Sequence, residues 1–220
     1  MKTNPVRKAV LEAVAERIIA LRSDHVVRVA IDGVDGAGKT IFADELAVLI
    51  ELRGRPVIRA SVDSFHNPRA VRYRLGRHSP EGFFRESYNY PLLKSLLLDT
   101  ISPGGSGQYR RAAFDVATDS PVTAPVESIQ VGAVLVFDGI FLHRPDLRQY
   151  WDLSIFLDVR FDVSAPRGAQ RGTTSPDIHA PENRRYIEGQ RLYLRECEPK
   201  RHATFVINND ALDAPYLESR

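Results

Sequence analysis

The sequence predicts an α/β fold in which helices cover both faces of a mainly parallel, five-stranded sheet. Short runs of β-branched and other apolar residues, typical of buried strands, alternate with segments whose apolar residues recur at helical spacing. A glycine-rich turn joins the first run to the helical segment that follows it. Strands and helices in this order form parallel pairs whose crossovers cover the sheet. The five predicted strands are residues 26–31, 57–62, 133–137, 153–159 and 204–207.

Helical periodicity occurs in four segments before and between these strands. Apolar residues recur at helical spacing over residues 6–21, which predicts an amphipathic leading helix within the first 24 residues. The pattern returns over residues 40–52, where Gly54 marks the end of the helix. Further helices are predicted over residues 90–101 and 183–197. These helices supply the outer layers of the predicted fold.

We interpret residues 1–220 as a single domain, because no repeat, low-complexity tract or long linker divides the chain. Residues 64–131 contain little periodicity, and extended edge segments are predicted at residues 108–114 and 128–131. Long connections of this kind often carry function, so we expect a small substrate-side insert there. Residues 160–182 also lack a clean pattern and are expected to form a lid.

Composition and charge argue against several classes of function. The formal net charge is only +2, which argues against a dedicated nucleic-acid binder. Cys197 is the single cysteine, so an internal disulfide framework and a cysteine-rich zinc site are excluded. Charged residues interrupt the apolar runs near the N-terminus, and the sequence has no stretch of about 20 apolar residues, so we expect neither a membrane partner nor an export signal. Cytoplasmic localisation is expected, and assembly into a homo-oligomer is left open.

A phosphate-binding loop is the strongest signal in the sequence. Residues 33–40 read Gly-Val-Asp-Gly-Ala-Gly-Lys-Thr, which matches the pattern G-x-x-x-x-G-K-[ST] between a predicted strand and a predicted helix. Backbone N–H groups of such a loop bind phosphate oxygens, Lys39 is expected to reach the β- and γ-phosphates, and Thr40 is expected to bind Mg²⁺. The predicted phosphate-binding residues are Gly33, Val34, Asp35, Gly36, Ala37, Gly38, Lys39, Thr40 and Ile41.

Two carboxylates follow predicted strands. Asp63 comes directly after residues 57–62, and Asp138 comes directly after residues 133–137. Because the carboxyl ends of parallel strands face one crevice, both acids are expected near the bound phosphates. Asp138 suits a metal ligand, and Asp63 suits a general base, with the metal as its second role. Helix capping remains the alternative for either residue.

Arginines are frequent after the fourth predicted strand. We expect Arg167 and Arg171 to stabilise the charge that develops on a transferring phosphoryl group, as cations on a closing lid can do. A solvated, charged helix face is the alternative for each of them. In the insert, Tyr88 is a candidate for stacking on a substrate base, although packing explains an aromatic residue there equally well. His66 and His78 are expected to be surface or hydrogen-bonded residues.

Together these motifs resemble the uridine kinase family of P-loop nucleoside kinases, which is related to phosphoribulokinase and pantothenate kinase. The resemblance rests on the phosphate loop, residues 62–66 (Val-Asp-Ser-Phe-His), Phe114-Asp115, residues 137–140 and the arginine-containing lid, and it spans residues 26–208. It implies a three-layer P-loop kinase fold with a helical lid. It also implies transfer of phosphate from ATP, with Mg²⁺, to the 5′-hydroxyl of a pyrimidine nucleoside, uridine or cytidine.

The resemblance also implies roles for individual residues. Asp63 would be the base, Thr40 and the acid at position 138 would serve Mg²⁺, and Asp63 is kept as a second metal candidate. The catalytic set is then Asp63, Lys39, Arg167 and Arg171. The expected substrate-binding residues are Asp63, Phe65, Tyr88, Phe114, Asp115 and Arg185.

The sequence departs from the family pattern on the acceptor side. Val116 replaces the phenylalanine of a usual Tyr-Asp-Phe, whose tyrosine position is Phe114, and Asp119 stands where some members have a histidine that contributes to pyrimidine recognition. Pantothenate, a sugar or a sugar phosphate therefore remains an alternative acceptor, and a non-catalytic ATP-binding module remains the non-enzymatic alternative. A regulatory GTPase is disfavoured, because no lysine has an aspartate two residues later.

Overall fold

A computed structural model describes residues 4–21, 23–170 and 175–219. Its described strands, in chain order, are β1 (Val27–Gly33), β2 (Val57–Ser61), β3 (Gln108–Tyr109), β4 (Phe114–Asp115), β5 (Ser120–Pro121), β6 (Glu127–Ser128), β7 (Val134–Asp138), β8 (Leu153–Asp158), β9 (Phe205–Asn208) and β10 (Tyr216–Leu217). Its described α-helices are α1 (Pro5–Ile19), α2 (Lys39–Leu52), α3 (Arg69–Arg72), α4 (Pro80–Glu86), α5 (Tyr90–Leu93), α6 (Phe161–Ala169), α7 (Arg184–Cys197) and α8 (Pro199–His202).

The central sheet has six strands in the order β10-β9-β8-β1-β7-β2. Strands β9, β8, β1, β7 and β2 are parallel, and they are the five strands that the sequence predicts. The expected count of five is wrong by one, because β10 adds an antiparallel edge strand beside β9. This strand has two residues, and both side chains are exposed, so it leaves no buried apolar run in the sequence.

Helices cover both faces of the sheet and give three layers. Along β1, Val29 and Ile31 belong to a core beneath α1 and α2, whereas Ala30 belongs to a core on the opposite face. This alternation follows from the two-residue period of a strand. The opposite core contains aromatic residues of α4, α7 and the loop after β7, among them Phe84, Phe141 and Tyr193, which are almost fully buried. The two faces thus match the predicted three-layer fold.

The helix α1 begins as its sequence indicates. Asn4 precedes Pro5, and the Asn4 side chain accepts a hydrogen bond from the backbone N–H of Val6, as an N-cap should. Apolar residues at helical spacing on α1 pack against α2 and the sheet. None of the helices in the described part of the chain is both long enough and apolar enough to cross a lipid bilayer.

The predicted insert region contains short elements. Helices α3 and α4 follow a 3₁₀ turn at Val62–Phe65, and α5 continues into a π-helical turn at Lys94–Leu98, where the sequence predicts one helix. The two extended edge segments form part of small antiparallel pairs, β3 with β6 and β4 with β5. Helix α4 packs closely on α7, since a Cβ atom on Gly189 would lie within 3 Å of Phe83. The insert is therefore held against α7.

The sheet order brings three strand ends together. Asp138 at the end of β7 lies opposite Ile31 of β1 and Ser61 of β2. The loop after β1 carries the phosphate-binding motif, and the segment after β2 carries Asp63. Because β7 lies between β1 and β2, all three functional segments emerge at the same edge of the sheet.

Candidate active site

Residues 33–40 form a tight loop between β1 and α2, as predicted from their sequence. Gly36 and Gly38 have φ angles of 74° and 88°, in the left-handed region that favours glycine. A Cβ atom on Gly36 would overlap the backbone oxygen of Ser164 in α6. Glycine is therefore required at position 36 both by the turn and by the close approach of α6. The helix α2 begins at Lys39, so its N-terminal amides open toward the loop.

Two side chains fix the loop. Lys39 Nζ donates to the backbone oxygen of Val34 at 2.8 Å. Gln190 of α7 makes two contacts with Asp35: its Oε1 accepts from the backbone N–H at 2.6 Å, and its Nε2 donates to the carboxylate at 3.2 Å. Gln190 is 2% exposed. Sequence analysis did not single out Gln190, because the pairing joins residues 155 positions apart and belongs to no local motif.

Asp138 joins the loop to the neighbouring strand. Its Oδ2 accepts a hydrogen bond from Thr40 Oγ1 at 2.8 Å, and its Oδ1 pairs with Arg59 of β2 at 2.8 Å. Arg59 also pairs with Asp44 of α2. A hydroxyl and a carboxylate side by side are hard oxygen donors, and they fit Mg²⁺, which binds to few protein groups and keeps several waters. Arg59 was not predicted, since a strand arginine resembles any solvated residue in the sequence.

Asp63 lies at the start of the 3₁₀ turn after β2, and its side chain is exposed. Tyr88 donates its hydroxyl to Asp63 Oδ1 at 3.0 Å, so Tyr88 orients this carboxylate instead of standing apart as a stacking residue. Burial, and then the charge of Asp63, raise the pKa of the Tyr88 hydroxyl well above its ordinary value. Tyr88 is therefore a neutral hydrogen-bond donor at physiological pH.

His66 supports the same corner of the site. Its Nδ1 lies 2.8 Å from the backbone oxygen of Asp63. A carbonyl oxygen only accepts hydrogen bonds, so Nδ1 carries the proton. The His66 ring lies 4.5 Å from the Tyr88 ring, and burial lowers the pKa of His66 below its ordinary value. The imidazole is thus hydrogen-bonded, as expected from the sequence, and its lowered pKa favours the neutral form.

A cavity of about 320 Å³ joins the phosphate loop to Asp63. Helices α6 and α7 form its walls. Residues 1–3, 22, 171–174 and 220 lie outside the described part of the chain. Its lining residues are Asp35, Gly36, Gly38, Lys39, Thr40, Asp63, Asp138, Gly139, Ile140, Phe161, Ser164, Ala165, Gly168, Asn183, Tyr186, Ile187 and Gln190. The loop lysine and all three residues expected to serve a metal therefore share one cavity.

Of the six predicted substrate-binding residues, only Asp63 lines this cavity in the described structure, and five do not. Tyr88, one of the five, contacts the cavity-lining Asp63. Phe65 and Phe114 are buried in the protein. Asp115 accepts hydrogen bonds from the Ala117 N–H and the Thr118 hydroxyl, which lower the pKa of its carboxyl. Arg185 is 5% exposed and donates to backbone oxygens of the loop 72–79. Phe65, Phe114 and Asp115 thus have structural contacts within the insert, and Arg185 of α7 holds an insert loop.

Of the two predicted lid arginines, Arg167 lies in the described part of the chain. Arg167 of α6 donates to the backbone oxygens of Asn209, at 3.0 Å, and of Asp210. Arg160 pairs with the carboxylate of Asp210. Arg171 lies outside the described residues. Arg167, in the last turn of α6, is thus bound to the segment that follows β9.

Fold and site together define a P-loop kinase. A family model described as the phosphoribulokinase / uridine kinase family matches residues 28–179, more than half of the chain. The chain belongs to this family. This result confirms the resemblance drawn from the phosphate loop and the Asp-Ser-Phe tripeptide. No curated protein matches the sequence closely enough to count as a relative.

Solved structures share the fold at low sequence identity. A possible uridine kinase from Bacillus stearothermophilus is 21% identical, with a TM-score of 0.72, and the match covers 90% of this chain and 97% of that one. Phosphoribulokinase from Rhodobacter spheroides is 14% identical, with a TM-score of 0.56 and coverage of 84% and 71%. D-glycerate 3-kinase from Cryptococcus neoformans is 12% identical, with a TM-score of 0.52 and coverage of 92% and 93%. At these identities, the likeness establishes the fold.

Proposed function

We propose that the protein transfers the γ-phosphoryl group of ATP to a hydroxyl of a small molecule, with Asp63 as the general base. The observation that carries the proposal is the shared cavity: the Asp63 carboxylate, the phosphate-loop Lys39 and the Thr40–Asp138 pair line the same space. A base, a phosphate cradle and a pair of metal ligands are the parts that phosphoryl transfer requires.

In the proposed reaction, Tyr88 holds Asp63 Oδ1, and Asp63 Oδ2 accepts the proton of the acceptor hydroxyl. The acceptor oxygen forms a bond to the γ-phosphorus while the bond between that phosphorus and the β–γ bridging oxygen breaks. The products are ADP and the phosphorylated acceptor. Lys39 leaves the Val34 oxygen and contacts the β- and γ-phosphates.

Thr40 Oγ1 and Asp138 Oδ2 would hold Mg²⁺, which, when bound, offsets negative charge on the phosphates. We assign Arg167, together with Arg171, to stabilisation of the transferring group, with residues 160–182 as the lid. Arg167 would leave the carbonyls of Asn209 and Asp210 as the lid closes.

We further propose that residues 1–220 act as one domain, with the leading helix within residues 1–24 and the insert at residues 64–131.

The first candidate acceptor is a pyrimidine nucleoside, uridine or cytidine, phosphorylated at its 5′-hydroxyl. The residues Asp63-Ser64-Phe65 support it through their resemblance to uridine kinases. The likeness to a protein described as a possible uridine kinase is consistent with it. On this proposal the enzyme acts in the cytoplasm and needs neither nucleic acid nor a membrane.

A second candidate is an anionic hydroxyl compound, such as pantothenate or a sugar phosphate. Four arginines lie between residues 69 and 77 of the insert. Arg72 pairs with Asp119 and Arg74 pairs with Glu86, whereas Arg69 and Arg77 form no ion pair with any residue that the structure describes. Exposed arginines in an insert expected to lie on the substrate side would favour a carboxylate or phosphate on the acceptor.

A phosphotransfer screen separates these candidates. Unaltered protein would be incubated with ATP, Mg²⁺ and one acceptor at a time, and products would be identified by mass. Uridine or cytidine monophosphate supports the first candidate, and phosphorylated pantothenate or a doubly phosphorylated sugar supports the second. A phosphorylated neutral sugar would contradict both acceptors while keeping the phosphoryl transfer. ATP binding without transfer to any acceptor would instead favour the non-catalytic module and contradict the proposed function.

A further inference from the structure

A buried arginine of α1 reaches the back of the phosphate loop. Arg7 is 6% exposed, and its helix precedes residues 28–179, the part that matches the family model. Its Nε donates to Glu45 of α2 at 2.8 Å. From the same guanidinium, Nη1 donates to the backbone oxygen of Leu212 at 2.8 Å and to Asn209 Oδ1 at 3.4 Å. Arg7 therefore ties α1 and α2 to the segment after β9.

Asn209 relays this contact to the phosphate loop. It is completely buried, and its Nδ2 donates to the backbone oxygen of Ala37 at 2.7 Å. The Ala37 oxygen only accepts hydrogen bonds, so the Asn209 amide must turn its Nδ2 toward the loop and its Oδ1 toward Arg7. The guanidinium of Arg7 thus fixes the orientation in which Asn209 supports the loop.

The segment 209–212, which we call the brace, also touches the loop where it turns into α2. A Cβ atom on Gly38 would lie 3.1 Å from Asn209 Nδ2 and 3.2 Å from the Leu212 side chain. On its other side, the brace accepts both hydrogen bonds of Arg167 from α6. The brace therefore contacts the phosphate loop and the base of the predicted lid at once.

We propose that Arg7 is a positioning residue for the nucleotide. Acting through Asn209, it holds the brace in place, and the brace fixes the position of the phosphate loop and of Arg167. The inference rests on the proposed function in one respect, that ATP binds at this loop. Arg7 lies behind the loop and does not line the cavity in the described structure. It affects ATP binding through the loop backbone, and it makes no direct hydrogen bond to Asp63 or Tyr88.

The test is Arg7→Met, which removes the guanidinium, including its contact with the Phe42 ring, and retains an unbranched apolar stem of similar length. Calorimetry with ATP and Mg²⁺ would measure affinity directly, without an acceptor. We expect ATP to bind about five- to tenfold more weakly, while the KM of the acceptor stays within about twofold of its original value.

A matched control separates positioning from stability. Val10→Ala removes buried apolar atoms from the same helix and breaks no hydrogen bond to the brace, and it is expected to lower the melting temperature without changing ATP affinity. A double variant, Arg7→Met with Asn209→Ala, tests the relay: if Arg7 acts through Asn209, the loss of affinity in the double variant does not exceed the larger single loss.

Two results would overturn the inference. One is that Arg7→Met binds ATP as well as Val10→Ala does. The other is that the effects of the Arg7 and Asn209 substitutions multiply. If the unaltered protein binds ATP but phosphorylates no acceptor, the proposed function fails while the affinity comparison still decides the role of Arg7. Absence of ATP binding to the unaltered protein would contradict both.

Discussion

At the residue scale, the site is organised around shared carboxylates. Asp138 divides its two oxygens between Thr40 and Arg59, and Asp63 accepts from Tyr88. Hydrogen bonds to charged groups are stronger than those between neutral groups and fix geometry more tightly. Strand ends predicted Asp63 and Asp138, and the loop motif predicted Thr40. Arg59 and Tyr88 acquire their contacts only through folding, so their partners could not be predicted.

The Thr40 hydroxyl gives a prediction at this scale. Thr40→Val keeps the shape of the side chain but removes the oxygen that lies beside Asp138. We expect the Mg²⁺ concentration for half-maximal phosphate transfer to rise about tenfold or more, because one of the two proposed protein ligands is lost. Thr118→Val, in a surface turn outside the cavity, is the control. An unchanged Mg²⁺ dependence in Thr40→Val would remove Thr40 from the metal site.

At the element scale, strand order does most to create the site. Strand β7 lies between β1 and β2, which brings together segments separated by many residues in the chain. The five parallel strands were predictable because each is a short run rich in apolar residues. Helix boundaries were also close, since α7 occupies Arg184–Cys197 where the sequence indicates residues 183–197. Strand β10 was missed because its residues are exposed and their pairing depends on backbone contact with β9.

At the scale of elements, we predict that disturbing the contact between α4 and α7 lowers stability. A side chain on Gly189 would collide with Phe83 and with the backbone oxygen of Pro80. Gly189→Ala is therefore expected to lower the free energy of unfolding by about 1–3 kcal/mol, measured by urea denaturation. Gly82→Ala, in α4, meets only ordinary van der Waals contacts at 3.5 Å and should cost little. Equal stability of the two variants would contradict the close packing of these helices.

At the scale of the whole molecule, the acceptor is harder to predict than the chemistry. The phosphate loop has a local signature, because its backbone conformation demands glycines and a lysine at fixed spacing. Acceptor recognition instead depends on how the insert packs. Asp115 is engaged in its own turn and Arg185 holds the loop 72–79, contacts that no spacing rule predicts. Gln190 and Asn209 likewise act through contacts between distant parts of the chain.

The central claim is that Asp63 removes the proton from an acceptor hydroxyl beside ATP. The most direct measurement compares Asp63→Asn with Asp24→Asn, whose side chain is 97% exposed and lies outside the cavity. Phosphate transfer and ATP affinity would be measured for both variants with the acceptor found by the screen. The account predicts that Asp63→Asn loses about a hundredfold or more in turnover while ATP affinity is retained, and that Asp24→Asn keeps its turnover. Full turnover in Asp63→Asn would contradict it.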